Sequence, residues 1–556
     1  MPPKIYYGDR YYFYPQVDLL SLLFDPNPHA LAQEDGRIHI DAANTANYVT
    51  KAHARTLTEN FAHAFRHGFG IGAGGRNADV VVGFSTGQIL LPVAFYGTIA
   101  AGGIFSCASH SFTAAELARQ LDQGQAKLLV CSADLKDVAV QAAKLYGLPL
   151  DRVLVLDSEH RNWSLKSVLG KDHWTDQRLT WERITDQHEL ENSIINLLYS
   201  SGTTGVPKAV MLSHTMMVSQ VWISSQVARE WAIPRMLSGE LQPPTSPMRT
   251  LAHLPAAHIA GVAGYFVAPM YSGTECYWMK KYEWKKFLQY NKEHKITAFF
   301  TVPAIWARIA KSPDVTDQFA TLEGGAGGAA PMDGALQKSA GERFGGQIVG
   351  TYGMSETTGS VCTLPRGMVD TTGSVGVLHP NTMVRLVDEN DNDVPEGEPG
   401  ELWVKGPTTT KGYYRNPEAT KEAFVDGWYR SGDILQRREN GLWYVTDRKK
   451  ELIKYKGIQV APAELEGFLL SHPLIEDAAV IGVPGEDTEV PRAYVVATDR
   501  SKLSEDDVKN LVRDKLAPYK QLRGGVVFVD SIPRNAVGKI LRRDLRERAK
   551  KERAKL

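Results

Sequence analysis

The residues from 198 to 208 read LYSSGTTGVPK, and their chemistry suits a polyphosphate. An apolar strand end is followed by glycines and small hydroxyl residues, and a proline and a lysine close the segment. Glycines let the backbone approach a ligand closely, while hydroxyls, backbone N–H groups and an ammonium bind phosphate oxygens. The candidate phosphate-binding residues are Ser200, Ser201, Gly202, Thr203, Thr204, Gly205 and Lys208.

Two other interpretations of this segment are weaker. A flexible Gly/Ser linker has a similar composition, but linkers do not normally lie between an apolar strand and a further apolar segment such as Ala209–Leu212. A P-loop NTPase needs Ser or Thr directly after the lysine, and Ala209 occupies that position. The segment therefore predicts a phosphate loop of a different class.

Five further segments carry chemistry at the points where strands end or turns begin. Alone, each has an ordinary explanation, such as a mobile loop, a turn aspartate or a solvated lysine. Together they supply an aromatic ring, a hydroxyl, carboxylates and lysines, with a run of small residues against which a flat ring can lie. The segments are GGAGGAAP (324–331), TYGMSET (351–357), GD (432–433), KYKGIQ (454–459) and PRNAVGK (533–539).

With these motifs, the chain closely resembles the adenylate-forming superfamily of acyl-CoA synthetases, adenylation domains and beetle luciferases. The similarity covers roughly residues 40 to 545. Within the superfamily the chain looks most like 4-coumarate–CoA ligase and related fungal aryl- and acyl-CoA ligases. The stretch DRKKELIKYKGIQVAPAELE, which begins at Asp447, matches that family nearly residue for residue.

The resemblance implies an AMP-forming acid–CoA ligase. A carboxylic acid and ATP would give acyl-AMP and pyrophosphate, and the thiol of coenzyme A would then give acyl-CoA and AMP. The implied ligands are ATP, Mg²⁺ and coenzyme A. The β- and γ-phosphates would be held by Ser200, Thr203, Thr204 and Lys208, and the α-phosphate by Ser355. The adenine would be surrounded by Gly328, Ala329, Ala330, Thr351, Tyr352 and Gly353. The ribose would be bound by Asp433 and Arg448.

The resemblance also implies the residues that act in each half-reaction. Lys539 would reach both the substrate carboxylate and the α-phosphate, while Glu356 and Thr203 would bind magnesium. Lys450 would be a hinge about which a small domain swings between the two steps. Lys456, Gly457 and Gln459 would serve thioester formation. The acyl pocket would be lined by His258, Ala260, Gly264, Gly328 and Thr351, with His258 also flanking the tunnel for coenzyme A.

The chain departs from the coumarate enzymes in the acyl pocket. The residues around His258 are small, where those enzymes carry bulkier or aromatic side chains, and this predicts a wider or deeper pocket. Thr351 stands where glycine is common, so it would shorten or tilt the pocket floor. We therefore expect an aromatic or medium-chain acid rather than coumarate itself.

Three other functions use the same motifs. A luciferase-like oxygenase would adenylate its substrate and then oxidise it, although nothing in the chain specifies oxygen chemistry. A carrier-loading adenylation enzyme would need a carrier protein in trans, since no carrier domain follows Lys539. A non-catalytic nucleotide-binding module is disfavoured because Lys539, Glu356 and Asp433 are all present.

The order of apolar segments predicts an α/β fold. From about residue 78 to 350, continuous apolar strands alternate with amphipathic helices, which indicates doubly wound, mostly parallel sheets. Shorter β segments after Gly373 suggest a β-rich subdomain, and a charged run without apolar partners begins at Asp447. We therefore expect an N-terminal domain (1–446), a hinge (447–450) and a small mobile α+β domain (451–556) that ends in a basic tail.

Composition narrows the remaining possibilities. The chain of 556 residues balances 63 basic against 63 acidic residues, so no global field favours nucleic acid. The longest apolar run, Ile89–Phe105, contains a proline and three glycines and reads as a buried helix rather than a transmembrane segment. The four cysteines are scattered, which favours a reducing compartment without disulfides.

The C-terminus resembles a targeting signal. Residues 538–556 hold nine basic and three acidic residues and end in Ala554-Lys555-Leu556. This tripeptide resembles the peroxisomal signal Ser-Lys-Leu with Ala in place of Ser. A solvated basic helix that happens to end in leucine is the alternative. We expect a peroxisomal import receptor as a partner and, failing that, a cytoplasmic protein.

Overall fold

The computed structural model describes residues 3–26, 31–159, 163–200, 207–330, 332–456, 458–485, 488–535 and 538–553, without the side chains of 458, 459 and 553. Its helices, numbered in chain order, are α1 (Leu19–Phe24), α2 (Lys51–Phe69), α3 (Leu91–Ala100), α4 (Ala114–Gly124), α5 (Lys136–Tyr146), α6 (Gln187–Asn192), α7 (His214–Leu237), α8 (Ile259–Gly261), α9 (Ala268–Ser272), α10 (Trp284–Glu293), α11 (Pro303–Lys311), α12 (Gly334–Phe344), α13 (Pro417–Ala423), α14 (Pro462–Leu470), α15 (Glu505–Lys515) and α16 (Arg542–Arg553).

A seven-stranded sheet forms the first part of the chain. Its order is β10 (Lys208–Ser213), β9 (Ile194–Ser200), β5 (Ile104–Ala108), β4 (Val80–Phe84), β6 (Ala126–Ser132), β7 (Val153–Asp157) and β8 (Ser164–Ser167). The five inner strands are parallel, and the two edge strands are antiparallel to them. Val82 packs with α4 and α5 and Val81 packs with α2 and α3, so both faces are covered as a doubly wound sheet requires.

Two smaller sheets continue this domain. One has the order β11 (Arg249–Ala252), β12 (Glu275–Trp278), β2 (Arg37–Asp41) and β3 (Tyr48–Thr50). The other has the order β13 (Ala298–Thr301), β14 (Gly324–Gly327), β15 (Ile348–Met354), β16 (Gly359–Thr363) and β17 (Val377–Leu378). β13, β14 and β15 are parallel, so their carboxyl ends lie at one edge.

An antiparallel sheet forms the β-rich part that the sequence predicts after residue 373. Its order is β1 (Tyr6–Tyr7), β18 (Met383–Val387), β19 (Gly400–Lys405), β21 (Trp428–Arg437) and β20 (Phe424–Val425), and β22 (Trp443–Arg448) pairs with β21. The N-terminal segment thus joins a sheet made from residues far along the chain.

The last part of the chain has its own core. It contains a hairpin of β23 (Ile453–Tyr455) and β24 (Ile458–Val460) and a sheet of β25 (Ile475–Pro484), β26 (Glu489–Ala497) and β27 (Val526–Phe528). One face of that sheet packs with α14 and α15, and the other packs with α16. In the described residues, each buried apolar cluster draws its members from one side of residues 447–450.

One local prediction was wrong. The apolar run Ile89–Phe105 is not one helix, because α3 ends at Ala100 and β5 begins at Ile104. Gly102 breaks the helix with φ +79°, which L side chains rarely adopt. Within the charged run at 447–450, Asp447 is in β22 and only 3% exposed.

All four cysteines are free and buried. Among the residues that the structure describes, no helix combines the length and the apolar character needed to cross a membrane.

Candidate active site

An antiparallel strand pair holds the two ends of the predicted phosphate loop together. β9 ends at Ser200, β10 begins at Lys208, and these two residues face each other in the sheet register. Ser201, Gly202, Thr203, Thr204 and Gly205 lie outside the described residues. A loop anchored at both ends on a rigid sheet suits ligand binding better than it suits a linker.

Glu356 lies at the carboxyl end of β15 and is only 7% exposed. The Tyr413 hydroxyl donates to Glu356 Oε1 at 3.1 Å, and the Ser200 hydroxyl bonds the same carboxylate. The Lys208 ammonium lies over the Tyr413 ring, 5.2 Å from its centroid. Burial raises the pKa of Glu356, and Tyr413 and Ser200 oppose this rise. The loop lysine, the tyrosine and the carboxylate thus form one cluster.

The surroundings of Glu356 fit a divalent cation. Its hydrogen-bond donors in the described structure are its own backbone N–H and the hydroxyls of Tyr413 and Ser200, all neutral, so a cation would stabilise the buried carboxylate. Mg²⁺ that accompanies nucleotide phosphates takes one or two protein carboxylates and keeps several waters. Within the described part of the chain, no group of three or more His, Cys, Asp or Glu side chains could hold a metal unaided. A magnesium ion bound here therefore needs the phosphates as further ligands.

Tyr352, Asp433 and Arg448 come together although they are far apart in sequence. The Tyr352 hydroxyl donates to Asp433 Oδ2 at 2.8 Å, and Arg448 Nε lies 3.3 Å from Asp433 Oδ1. The β21–β22 register sets Asp433 opposite Arg448. Tyr352 and Asp433 are buried, and burial raises the pKa of Tyr352 so that its hydroxyl keeps its proton. An aromatic ring thus lies beside a carboxylate and a guanidinium, as a nucleoside requires.

The small residues after β14 lie directly against β15. A Cβ at Gly328 would lie 2.8 Å from the Thr351 carbonyl oxygen, so only glycine allows this approach. Ala329 has φ +68°, a conformation that is uncommon for alanine. The Thr351 hydroxyl is 3.1 Å from Ser360 Oγ and donates to the Cys362 carbonyl at 3.0 Å. Gly353 and Ser355 continue the same strand end, half-buried.

Not every glycine of this run serves a ligand. A Cβ at Gly325 would lie 2.6 Å from the Trp306 ring, and one at Gly327 would lie 2.6 Å from Met332 Cε. These two glycines are needed for packing. Gly328 and its neighbours Ala329 and Ala330 therefore remain the part of the run that can face a ring.

His258 precedes an irregular helical segment. α8 is followed by a π-helical turn, Val262–Val267, and then by α9. A Cβ at Gly264 would meet no atom within 4 Å, so open space lies beside it. π-Helical turns are rare and occur often at functional sites. Burial lowers the pKa of His258 to about 4, so its imidazole is neutral at physiological pH. Ala260 is half-buried in α8.

Lys539 is brought to the Asp433–Arg448 cluster from the other side of the 447–450 boundary. Its N–H donates to Asn535 Oδ1 at 2.9 Å, which holds the turn. Burial and the nearby Arg448 lower the pKa of Lys539 to about 8, and Glu451 and Asp433 act in the opposite direction. The lysine is therefore close to the residues that the sequence assigns to the ribose.

Contacts to backbone hold this arrangement. Lys311 Nζ donates to the carbonyls of Leu470 at 3.2 Å and Ile475 at 3.0 Å. A Cβ at Gly538, which has φ +76°, would lie 3.2 Å from Val302 Cγ2. The two parts of the chain are thus in contact through α11 and the residue before it.

The residues on either side of Lys450 belong to different parts of the chain. Lys449 Nζ donates to Glu401 Oε2 at 2.8 Å, in the β-rich sheet. Glu451 Oε2 accepts from Arg542 Nη1 at 2.6 Å, at the start of α16. The change of partners between 449 and 451 coincides with the predicted hinge.

The residues predicted for thioester formation are not at the nucleotide cluster in this arrangement. Lys456 is exposed, and its N–H donates to Thr488 Oγ1 at 2.7 Å. Gly457 and the side chain of Gln459 lie outside the described residues. The structure therefore brings Lys539, and not Lys456, to Asp433.

Sequence reasoning missed several residues of the site. Tyr413, which bonds Glu356, follows a glycine in an unremarked stretch, KGYYRNP. Arg542 lies three residues after Lys539, and its Nη2 donates to both oxygens of Glu466 at 2.7 and 2.6 Å. The glycine before Tyr413 was the only local signal in the sequence, and the structure shows that Gly412 has φ +144°. Nothing in the sequence pairs Arg542 with Glu466.

Comparison with known proteins identifies the fold. The family described as AMP-binding enzyme matches residues 28–414, and its C-terminal domain matches residues 464–539. The chain belongs to the AMP-binding enzyme family. A putative acyl-coenzyme A synthetase of Emericella nidulans is 46% identical over 554 residues, with 98% of both chains covered. Phenylacetyl-CoA ligase epaB of Aspergillus niger is 33% identical, with 96% of this chain and 97% of the relative covered.

Solved structures of this family agree. ATP-bound MatB from Rhodopseudomonas palustris superposes with a TM-score of 0.79 at 25% identity, over 96% of this chain and 99% of that one. Anthranilate CoA ligase AuaEII, with anthranoyl-AMP, has a TM-score of 0.80 at 21% identity over 98% and 99% of the chains, which shows the fold alone. The predicted adenylate-forming fold is confirmed. The chain is an AMP-forming acid–CoA ligase that uses ATP, as its sequence predicts.

Proposed function

We propose that this AMP-binding enzyme activates an aromatic or medium-chain carboxylic acid. A carboxylate oxygen attacks the α-phosphorus of ATP, the bond to the β-phosphate oxygen breaks, and pyrophosphate leaves. The sulfur of coenzyme A then attacks the acyl carbon, the thiol loses its proton, and AMP leaves. The observation that carries the proposal is that Lys539 is buried and near enough to Asp433 and Arg448 for their charges to shift its pKa.

The residues divide the work of the first step. Tyr352 and Gly328 border the adenine, Asp433 and Arg448 bind the ribose, and Lys208 with Ser200 and its loop holds the outer phosphates. Glu356 would hold magnesium, which neutralises phosphate charge when bound. The Lys539 ammonium lies where two anions must meet, and a positioned donor of this kind contributes ~3–4 kcal/mol to lowering a barrier.

The second step requires a different arrangement of the same chain. While Lys539 fills the site, a thiol has no room to approach the acyl carbon from that side. We propose that residues 451–556 rotate about Lys450, which removes Lys539 and brings Lys456 and Gln459 towards the adenylate. The exchange of partners between Lys449 and Glu451 supports this hinge.

An assay with a panel of acids tests the proposal. Pyrophosphate release, AMP formation and loss of free thiol should occur in equal amounts with the preferred acid, and phenylacetic, benzoic and C6–C10 acids form the panel. Pyrophosphate release without loss of thiol would point to a carrier protein as acceptor. Light or CO₂ release would indicate oxidation of the adenylate instead.

The pKa of Lys539 predicts the pH dependence of adenylation. The ammonium must be charged, and its pKa in the free enzyme is about 8, so kcat/KM for acyl-AMP formation should fall as the pH rises above about 8. Arginine keeps its charge, so in Lys539→Arg the residual activity should lack this break. Single-turnover pyrophosphate release between pH 6.5 and 10 measures both profiles. A flat wild-type profile up to pH 10 would contradict the assignment.

The small residues beside His258 should set the choice of acid. We expect Ala260→Tyr to lower kcat/KM for the bulkiest accepted acids, because the added ring fills the pocket and costs ~1–3 kcal/mol of transition-state stabilisation. The kcat/KM for short acids and the KM of ATP should change little. Ala260→Ser is the matched small variant. An acid profile that Ala260→Tyr leaves unchanged would exclude Ala260 from the pocket.

We further propose delivery to the peroxisome through Ala554-Lys555-Leu556. Deleting these three residues should leave purified activity and thermal stability intact, since every site residue named above precedes them in the chain. In cells, an N-terminal fluorescent fusion should move from puncta that contain a peroxisomal marker to the cytosol. A full-length fusion that is already diffuse would refute the address.

A further inference from the structure

Asp447 makes a hydrogen bond across the domain boundary. Its backbone is in β22, opposite Ile434 of β21, so it is anchored in the N-terminal part. Its Oδ1 accepts from the Arg448 N–H at 2.6 Å. Its Oδ2 accepts from the Ala463 N–H at 3.2 Å, and Ala463 lies in α14, beyond Lys450.

The bond supplies α14 with a cap that its own sequence lacks. The first N–H groups of a helix have no partner inside the helix. The residue at the N-cap of α14 is Ala461, which makes no side-chain cap, and Pro462 has no N–H to donate. A carboxylate at this end also interacts favourably with the helix dipole. Asp447 therefore does for α14 what a serine or aspartate at the N-cap normally does.

α14 is linked to the segment that carries Lys539. Its Glu466 carboxylate accepts both bonds of Arg542 Nη2, and Arg542 begins α16 three residues after Lys539. Glu466 and Arg542 are both buried, so breaking their pairing would leave a buried charge without its partner. The position of α14 thus determines where the turn with Lys539 lies.

We propose that Asp447 is a positioning residue for the first half-reaction, capping α14 only while Lys539 is in the site. This inference rests on the two-step function and the hinge proposed above. Rotation about Lys450 leaves Asp447 with β21 and carries Ala463 away. Glu451, Glu466 and Arg542 all follow Lys450 and move together, so their ion pairs persist. The bond from Asp447 stabilises one orientation of the domain and not the other.

Burial of the Asp447 carboxyl limits how much the bond stabilises this orientation. Desolvation raises the pKa of Asp447 to about 7, although Arg542 lies near enough to oppose it. The cost of burying this carboxyl offsets part of what the cap contributes. A stronger bond between Asp447 and Ala463 would hold Lys539 in the site and slow the second step.

Separate assays of the half-reactions test the proposal. In Asp447→Ala, acyl-AMP formation should slow by about 5- to 30-fold, the effect of losing one helix cap. Thioester formation from supplied acyl-AMP should keep its rate or increase. Equal slowing of both steps would overturn the proposal, because it would mean general damage.

Two further variants separate orientation from helix stability. Ala461→Ser gives α14 a cap within its own domain, which serves both orientations equally. Added to Asp447→Ala, it should not recover adenylation, and recovery would show that Asp447 only stabilises the helix. Ser504→Ala is the matched control, because Ser504 caps α15 by accepting from Asp507 N–H at 3.1 Å inside one domain. It should lower the melting temperature and leave the ratio of the two rates unchanged.

Hydrogen exchange tests the contact without turnover. With ATP and Mg²⁺ but no acid, the amide of Ala463 should be protected in the wild type and should exchange faster in Asp447→Ala. Identical exchange in the two proteins would overturn the inference. If no acid released pyrophosphate in the wild type, the proposed function would be wrong. The exchange measurement would still show whether Asp447 bonds the Ala463 amide.

Discussion

Lys539→Ala is expected to slow acyl-adenylate formation by ~10²–10³ or more, because the site loses its cation between the attacking carboxylate and the α-phosphate. Thioester formation from supplied acyl-AMP should be largely preserved, since Lys539 leaves the site before that step. Single-turnover pyrophosphate release measures the first rate, and acyl-CoA formation from synthetic acyl-AMP measures the second.

Variants of the residues that the resemblance assigns to thioester formation provide the control for Lys539. Gln459→Ala and Lys456→Ala should slow thioester formation more than adenylation, the reverse of Lys539→Ala. If Lys539→Ala slowed both half-reactions by the same factor, Lys539 would have a structural role in its turn and no specific role in the first step.

Lys450→Pro is expected to separate the half-reactions in the other direction. Proline fixes φ near −65° and removes a donor, so the domain should be locked in one orientation. The structure shows Lys539 with Asp433, and we therefore expect adenylation to survive while thioester formation falls by ~10²-fold or more. The same pair of assays measures this.

Lys450→Ala is the matched control for the hinge. It removes the side chain and keeps the backbone free, so both rates should stay close to those of the wild type. Wild-type rates for both steps in Lys450→Pro would move the hinge to another residue.

The motifs of the site could be read from the sequence because each is a short run of residues at a strand end. The stretch from Thr351 to Met354 does not follow a strand but forms the end of β15, Glu356 lies in the turn after it, and Gly328 approaches this strand closely. The resemblance to a known family then predicted which motifs meet. Without it, no local pattern could bring Tyr352 to Asp433, since 81 residues separate them.

The remaining features depend on tertiary structure. The π-helical turn at 262–267 differs from an α-helix only in which carbonyl each N–H selects, and packing makes that choice. The pair of Arg542 and Glu466 is buried, and a sequence of charged residues predicts solvent exposure for both. The bond from Asp447 to Ala463 ends on a backbone N–H, which leaves no signature in residue types.

The contacts between the two parts of the chain bear on whether the C-terminal domain can be replaced by that of a related enzyme. Lys311 donates to two carbonyls, Asp447 accepts from a peptide N–H, and Val302 lies where it would crowd a side chain added at Gly538. Each of these recognises the course of the partner's main chain rather than the identity of its side chains. A C-terminal domain grafted from a distant relative therefore brings the acceptors and donors that these residues need, provided that its backbone follows the same path. The grafted domain can therefore differ from the native one in the majority of its surface side chains and still dock.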